Sequence, residues 1–186
     1  NGRNTAAFGK IENLDSDHDG FTKGQEIKTF LTFPGNPASS PERSKNGGFN
    51  IYTGTSKIPT NWVGASFAAT DGKDATAKKE GTASVKIAGA PAKNKTLTQT
   101  LTLSGKTGDK FTFSFWAKGT AIPAAGLCQG QVMLYGGTTL KLTKTNPCTA
   151  STSAAFQQKT LSFNATSAYT KAVIKFTYSK ASGTVW

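Results

Sequence analysis

The chain has 186 residues, a formal net charge of +12 and 36% hydrophobic residues, which suits one globular domain with a short appendage. No apolar run approaches the ~20 residues that span a bilayer, so we expect no direct membrane insertion. The lysines lie mostly singly among Thr, Ser and Gly, which predicts a solvated basic surface and no nucleic-acid partner. A single His and two Cys without metal-ligand spacing argue against a zinc site and against Cys–His catalysis.

The most specific motif is the twelve-residue loop at residues 15–26, DSDHDGFTKGQE. Acidic side chains stand at loop positions 1, 3, 5 and 12, and a glycine at position 6 permits a sharp turn. This spacing wraps oxygen ligands around one Ca²⁺ ion. The predicted ligands are the carboxylates of Asp15, Asp17, Asp19 and Glu26 and the main-chain carbonyl of Phe21.

The loop resembles a single EF-hand-like turn, and it is more similar to the Asp-rich thrombospondin type 3 repeats of bacterial surface proteins. Apolar residues at helical spacing flank it, so residues 1–31 are predicted to form a calcium-binding segment with short helices. Lys23 stands where the repeat has Asp, and its positive charge is expected to weaken calcium binding. Residues 32–46 contain three prolines with Gly, Ser and Asn, which predicts an extended linker.

From residue 47 onward, the sequence alternates between apolar and polar residues in short segments. Turn signals separate these segments, which predicts an all-β sandwich. The predicted strands include residues 83–88, 97–103, 110–117, 131–135, 139–143, 159–163 and 172–178.

Several of these segments occur in the order found in bacterial carbohydrate-binding modules of the family 4/9 type, which the body of the chain resembles. They are residues 46–50 (NGGFN), 59–62 (PTNW), 81–87 (GTASVKI), 97–101 (LTQTL), 108–119 (GDKFTFSFWAKG) and 183–186 (GTVW). The resemblance implies a jelly-roll β-sandwich over residues 47–186 that binds a polysaccharide without catalysis. Asn50 stands where the family has Glu, and no F-D-D follows Trp186. We therefore expect a last strand that is cut short and do not carry over the family's structural calcium site.

A sugar-binding face needs an exposed aromatic ring with amides and hydroxyls around it. Trp116 is the first candidate, because strand alternation directs it away from Phe115 and onto the same face as Thr112; the alternative is a buried packing role. Tyr135 and Gln131 share one face of another strand and form a second candidate pair. Trp62 and Trp186 are expected in the core.

Cys128 and Cys148 are 20 positions apart and are predicted to form a disulfide, which would stabilise the fold by about 3 kcal/mol. The alternative is two buried thiols in a reducing compartment.

Two functions follow. The first is a non-catalytic, extracellular module that binds Ca²⁺ and a polysaccharide as part of a larger secreted or surface protein. The alternative is a structural or adhesive block of a cell-surface layer or filament, whose partners are neighbouring copies or other surface proteins. Residues 46–186 carry 16 Lys against 4 acidic residues and no recognisable catalytic pair, so no enzyme is expected.

Overall fold

The computed structural model describes residues 42–148, 153 and 155–186. Residues Asn46–Trp186 form one compact unit, and Asn1–Lys45 form another. The predicted calcium loop, the helices that flank it and most of the predicted linker lie outside the described residues, so they stay predictions. In the described part of the chain, no helix has the length and apolar character that crossing a membrane requires.

The described residues of the larger unit form eleven strands. They are β1 (Val63–Ala65), β2 (Gly72–Asp74), β3 (Ser84–Ala88), β4 (Lys95–Gly105), β5 (Lys110–Ala117), β6 (Gly119–Thr120), β7 (Cys128–Gly136), β8 (Thr139–Pro147), β9 (Gln157–Asn164), β10 (Tyr169–Tyr178) and β11 (Thr184–Val185). Each predicted strand lies within or overlaps one of them, because period-two alternation matches a sheet with one buried face.

The strands form two layers with antiparallel pairing throughout. One layer is a five-stranded sheet in the order β1-β4-β10-β7-β8. The other layer joins the order β2-β3-β11-β6 to the pair β5-β9, since only Lys118 separates β5 from β6. Lys118 also exchanges two main-chain hydrogen bonds with Trp186, at 2.9 and 3.0 Å, which continues the β11–β6 ladder toward β5. The predicted jelly-roll β-sandwich is confirmed.

The core lies between the layers and has two apolar clusters. One is built around Trp62, Leu97 and Tyr178, and the other around Leu101, Phe113 and Leu134. Phe115, Ile174 and Phe176 pack against both clusters and join them. Trp62 is buried, as predicted, and its ring contacts those of Phe49 and Phe176 at centroid distances of 5.2 and 5.9 Å. Burial raises the pKa of Tyr178 to about 12.

The side chain of Asn46 hydrogen-bonds to the main chain of the first residues of this unit. Its amide nitrogen donates to the carbonyls of Ile51 (2.9 Å) and Thr60 (3.0 Å), and its oxygen accepts from the main-chain N–H groups of Asn50 and Ile51. The indole of Trp62 donates to the carbonyl of Asn46 at 3.3 Å. Asn46 therefore holds the opening segment against the core, which explains why Asn begins the NGGFN motif.

A buried ion pair ties β4 to the segments around β2 and β3. The ammonium of Lys95 lies 2.6 Å from a carboxylate oxygen of Asp71, and these side chains are 2% and 0% exposed. The same ammonium donates to the carbonyl of Ala88 at 2.7 Å. Asp71 also accepts main-chain N–H groups from Ala88 (2.7 Å) and Ala68 (2.5 Å). The pair is thus satisfied by hydrogen bonds on both sides, as a buried charge requires.

The predicted disulfide between Cys128 and Cys148 is wrong. Both are buried thiols, and no bond joins their sulfur atoms. They lie opposite one another at the ends of β7 and β8, where the N–H of Cys148 donates to the carbonyl of Cys128 at 3.0 Å. A hydrogen bond between the two side chains, together with burial, raises the pKa of Cys148. The structure therefore has the alternative arrangement of two buried thiols.

Candidate functional site

The five-stranded sheet presents a broad surface, which we call the wide face. It consists of the outward side chains of β4, β10, β7 and β8, which alternate along each strand with side chains that face the core. Thr177, at one end of β10, is itself buried. Pairing places these side chains in rows across the sheet. The rows are Thr102–Lys171–Tyr135, Thr100–Val173–Met133–Thr143, Thr98–Lys175–Gln131–Thr145 and Thr96–Thr177–Gln129–Pro147.

An apolar strip runs along one side of the wide face. It consists of Tyr135, Met133 and Val173, which are all half-buried. The hydroxyl of Tyr135 lies 3.7 Å from the sulfur of Met133, and the ammonium of Lys171 lies 4.8 Å from the centroid of the Tyr135 ring. These contacts engage the hydroxyl of Tyr135 and one side of its ring, and the ring adds apolar surface to the strip.

A polar row follows the apolar strip. The amide of Gln131 donates to the hydroxyl of Thr145 at 3.2 Å, and Lys175 and Thr98 continue the row on β10 and β4. Gln129 lies in the next row, on the same strand as Gln131. The wide face therefore combines an apolar strip with amide, hydroxyl and ammonium groups, which is the mixture that a sugar ring and its hydroxyls require.

The second layer carries a smaller surface, which we call the narrow face. It consists of the outward side chains of β5 and β9. Pairing places Trp116 opposite Gln158, Ser114 opposite Thr160 and Thr112 opposite Ser162. Trp116 is 37% exposed, and the hydroxyls of Thr112 and Ser162 are 3.3 Å apart.

The ring of Trp116 has a cation as its neighbour. The ammonium of Lys79 lies 4.4 Å from the ring centroid, so one side of the ring is engaged in a cation–π contact. The predicted orientation of Trp116, opposite to Phe113 and Phe115, is confirmed, since Phe113 is buried and Phe115 packs against the core. The alternative of a fully buried Trp116 is wrong.

The structure thus divides the predicted ligand residues into two pairs. Tyr135 and Gln131 lie together on the wide face, and Trp116 and Thr112 lie together on the narrow face of the other layer. The sequence reasoning missed Lys171, Lys175 and Met133. Alternation with the inward residues Ala172 and Ile174 predicts that the two lysines of β10 face outward. Only the pairing of β10 with β7 places them beside Tyr135.

Two carboxylates, those of Asp71 and Asp74, line a surface cleft of about 590 Å³. Asp71 is held by Lys95, as described above. Asp74 accepts hydrogen bonds from the Trp186 indole at 2.7 Å and from the N–H groups of Thr76 and Ala77 at 2.8 and 3.0 Å. Both carboxylates are therefore engaged in hydrogen bonds that connect segments of the fold. Trp186 is half-buried by this contact rather than fully buried in the core.

The position that carries Glu in the resembling family holds Asn50 here. The side-chain oxygen of Asn50 accepts the Thr82 N–H at 2.7 Å and lies 3.1 Å from the Thr82 hydroxyl. The Asn50 side chain therefore ties the opening segment of this unit to the residues just before β3. Within the described residues, no group of three or more His, Cys, Asp or Glu comes together to hold a metal ion.

Comparison with known proteins identifies the fold. No family model matches the chain, and no curated protein matches it. TmCBM61, solved in complex with β-1,4-galactotriose, has a TM-score of 0.56 at 11% identity over 78% of this chain and 93% of its own. A family 16 carbohydrate-binding module has a TM-score of 0.52 at 18% identity over 69% of this chain and 90% of its own.

A larger protein contains the same fold. The enzymatically active domain of tailspike protein 4 from bacteriophage CBA120 has a TM-score of 0.57 at 15% identity over 77% of this chain. The match covers only 20% of the tailspike chain. At these identities the likeness shows a shared sandwich fold.

Proposed function

We propose that the unit of residues 46–186 is a non-catalytic polysaccharide-binding module and that the wide face is its binding surface. The observation that carries the proposal is the apolar strip of Tyr135, Met133 and Val173 beside the polar row that contains Gln131. The similarity in fold to a family 16 carbohydrate-binding module and to TmCBM61 in complex with β-1,4-galactotriose supports it. The engagement of both carboxylates in the cleft argues against hydrolytic chemistry there.

The wide face is favoured over the narrow face for two physical reasons. Strands lie about 4.8 Å apart, so the four strands of the wide face (β4, β10, β7 and β8) offer a surface about 14 Å across. The two strands of the narrow face, β5 and β9, offer about 5 Å. The Tyr135 side chain also lies among half-buried neighbours, whereas the outward side chains of β5 and β9 are exposed. A wide, ordered surface contacts more of an extended sugar chain and orders fewer side chains on binding.

The test compares two matched aromatic truncations, Tyr135→Ala and Trp116→Ala, by retention on a panel of polysaccharides. Tyr135→Ala is expected to weaken binding at least tenfold, because losing a stacked ring costs about 1.4 kcal/mol or more. Trp116→Ala should leave binding unchanged. The reverse result would place the site on the narrow face, and no retention of the parent protein on any polysaccharide would refute the proposal.

The calcium loop is a second part of the proposal. Asp15, Asp17, Asp19, Phe21 and Glu26 would hold Ca²⁺ as a structural ion that orders residues 8–31 and takes no part in sugar binding. The location that we propose for the protein, extracellular or at the cell surface, is one in which Ca²⁺ is available to this loop. Calorimetric titration of Ca²⁺ into the whole chain and into Glu26→Gln tests this part, since the bidentate ligand dominates the site. Equal heats from both proteins would contradict it.

A structural role in a surface assembly is the second candidate. The fold similarity to part of a tailspike protein favours it, because the match covers a small share of a much larger chain. The loop of residues 15–26 carries four carboxylates against one lysine, so the basic unit of a neighbouring copy, with its net charge of +12, would attract it. Light scattering with added Ca²⁺ separates the two roles, since an assembly block should associate and a monomeric binder should not.

A further inference from the structure

We infer that the polysaccharide bound by the wide face is an acidic one, bearing uronate carboxylates or sulfate esters. This inference rests on the proposed function, because it names the chemistry of the ligand at the same surface. Its first support is the charge of that surface. Lys171 and Lys175 project from β10, the central strand of the five-stranded sheet, onto the rows of Tyr135 and Gln131. The outward side chains of β4, β7, β8 and β10 include no carboxylate.

The second support is the position of three of the four acidic residues of this unit. Asp71 is buried against Lys95, and Asp74 binds the Trp186 indole. Asp109 accepts hydrogen bonds from the Tyr169 hydroxyl (2.9 Å) and the Lys106 N–H (2.8 Å) at a turn before β5. These carboxylates are fixed by structural contacts away from the wide face, so they do not neutralise its two lysines. The surrounding unit has a net charge of +12, which adds a long-range attraction for anions.

The third support is the position of the ammonium groups relative to the apolar strip. The ammonium of Lys171 is held 4.8 Å from the Tyr135 ring centroid, so a sugar packed on the strip has a cation within reach of its substituents. Lys175 lies four residues along the same strand, about 13 Å away at 3.3 Å per residue. Two cations at this separation fit an extended chain with repeated anionic groups better than a single small anion.

A neutral ligand explains these lysines less well. Neutral sugars need hydrogen-bond donors and acceptors, which Gln131, Gln129 and the threonines of β4 supply without a charge. Placing two ammonium groups on the recognition surface gains energy only when an opposite charge reaches them, since each must lose part of its hydration on binding.

The experiment measures binding of the whole chain to polygalacturonate, alginate and chondroitin sulfate, which separate uronate from sulfate recognition. The neutral methyl esters of the first two provide a matched sugar backbone without charge, and polyglutamate provides charge without sugar. We expect at least one acidic polysaccharide to bind, with about tenfold or greater loss on esterification or in ~1 M salt, where the Debye length is about 3 Å.

Lysine variants assign that binding to the wide face. Lys175→Gln should weaken it at least threefold and Lys171→Gln with Lys175→Gln at least tenfold, as expected for one and two partly sheltered ion pairs of about 0.7 kcal/mol each. Lys110→Gln makes the same charge change on the narrow face and should have no effect.

The outcomes separate this inference from the proposed function. If the neutral esters bind as tightly as the acids and the lysine variants behave as the parent, the ligand is neutral: the inference falls and the proposed function stands. The same holds if only neutral polysaccharides are retained. If polyglutamate binds as tightly as the acidic polysaccharides, or if nothing in the whole panel binds, both fail.

Discussion

Replacing Lys95 by Met is the sharpest test of what holds the sandwich together. Methionine keeps the unbranched shape of the lysine side chain but removes the ammonium, so the core remains filled. The change leaves the Asp71 carboxylate buried with only its two main-chain donors, from Ala88 and Ala68. It also removes the ammonium group that donates a hydrogen bond to the carbonyl of Ala88 at 2.7 Å.

The size of the effect follows from this burial. Both side chains are almost fully excluded from water, at 2% and 0% exposure, so solvent cannot replace the lost partner. Removing one member of such a pair costs about 3–5 kcal/mol. Because single domains have about 5–15 kcal/mol of total stability, this is a large share. At about 3 °C per kcal/mol for a unit of this size, Tm should fall by about 10–15 °C.

The assay is urea unfolding followed by tryptophan fluorescence, with Lys93→Met as the control. Lys93 is exposed and lies just before β4, so its replacement should change the free energy of unfolding by less than about 0.5 kcal/mol. The double variant Lys95→Met with Asp71→Asn removes both charges and should be at least about 1 kcal/mol more stable than Lys95→Met alone. A loss below about 1 kcal/mol in Lys95→Met, or a double variant less stable than it, would refute the reasoning.

Two further predictions concern titratable groups. Burial opposes ionisation of Asp74, but hydrogen bonds from the Ala77 N–H and the Trp186 indole outweigh it and hold the pKa of Asp74 below its usual value. Because the pKa of Asp74 is lower in the folded than in the unfolded state, its ionised carboxylate stabilises the fold above the unfolded pKa of about 4, and this stabilisation is lost as the pH falls further. Tm measured from pH 7 to pH 3 should therefore drop less steeply in Asp74→Asn than in the parent. Cys128 and Cys148 are both buried, and the raised pKa of Cys148 keeps its thiol protonated, so both should react slowly with a thiol reagent at pH 8 in the folded protein and rapidly in urea. A fast reaction of the folded protein would contradict this.

The strands could be predicted from the sequence where a long alternating pattern covers them. Residues 110–117 are predicted and observed with the same bounds, because Phe111, Phe113 and Phe115 mark one apolar face without interruption. The short strands β1, β2 and β6 have two or three residues each, too few to show a period. Their pairing depends on neighbours far away in the sequence, as between β1 and β4.

The candidate site could be predicted only one strand at a time. Alternation places Tyr135 with Gln131, and Trp116 with Thr112, but it carries no information on which strands share a layer. That information comes from long-range pairing, which brings β10 beside β7 and so adds Lys171 and Lys175 to the site. The cysteines show the same limit, because a separation of 20 positions fits a disulfide and a hydrogen-bonded pair of thiols equally well.

The outer strand β8 has a consequence for how copies of this unit behave at high concentration. An edge strand exposes main-chain groups to which another chain can add, and such addition begins aggregation. Three features of β8 oppose this addition. Lys144 pairs with Val132, which places a charged residue on the inward side of the edge strand. Pro147 has no main-chain N–H to donate, and a bulge interrupts the ladder near Leu140. At the opposite edge, β1 is only three residues long. Both edges of the five-stranded sheet therefore resist templated growth into fibrils, which disfavours contacts between copies through the edges of this layer.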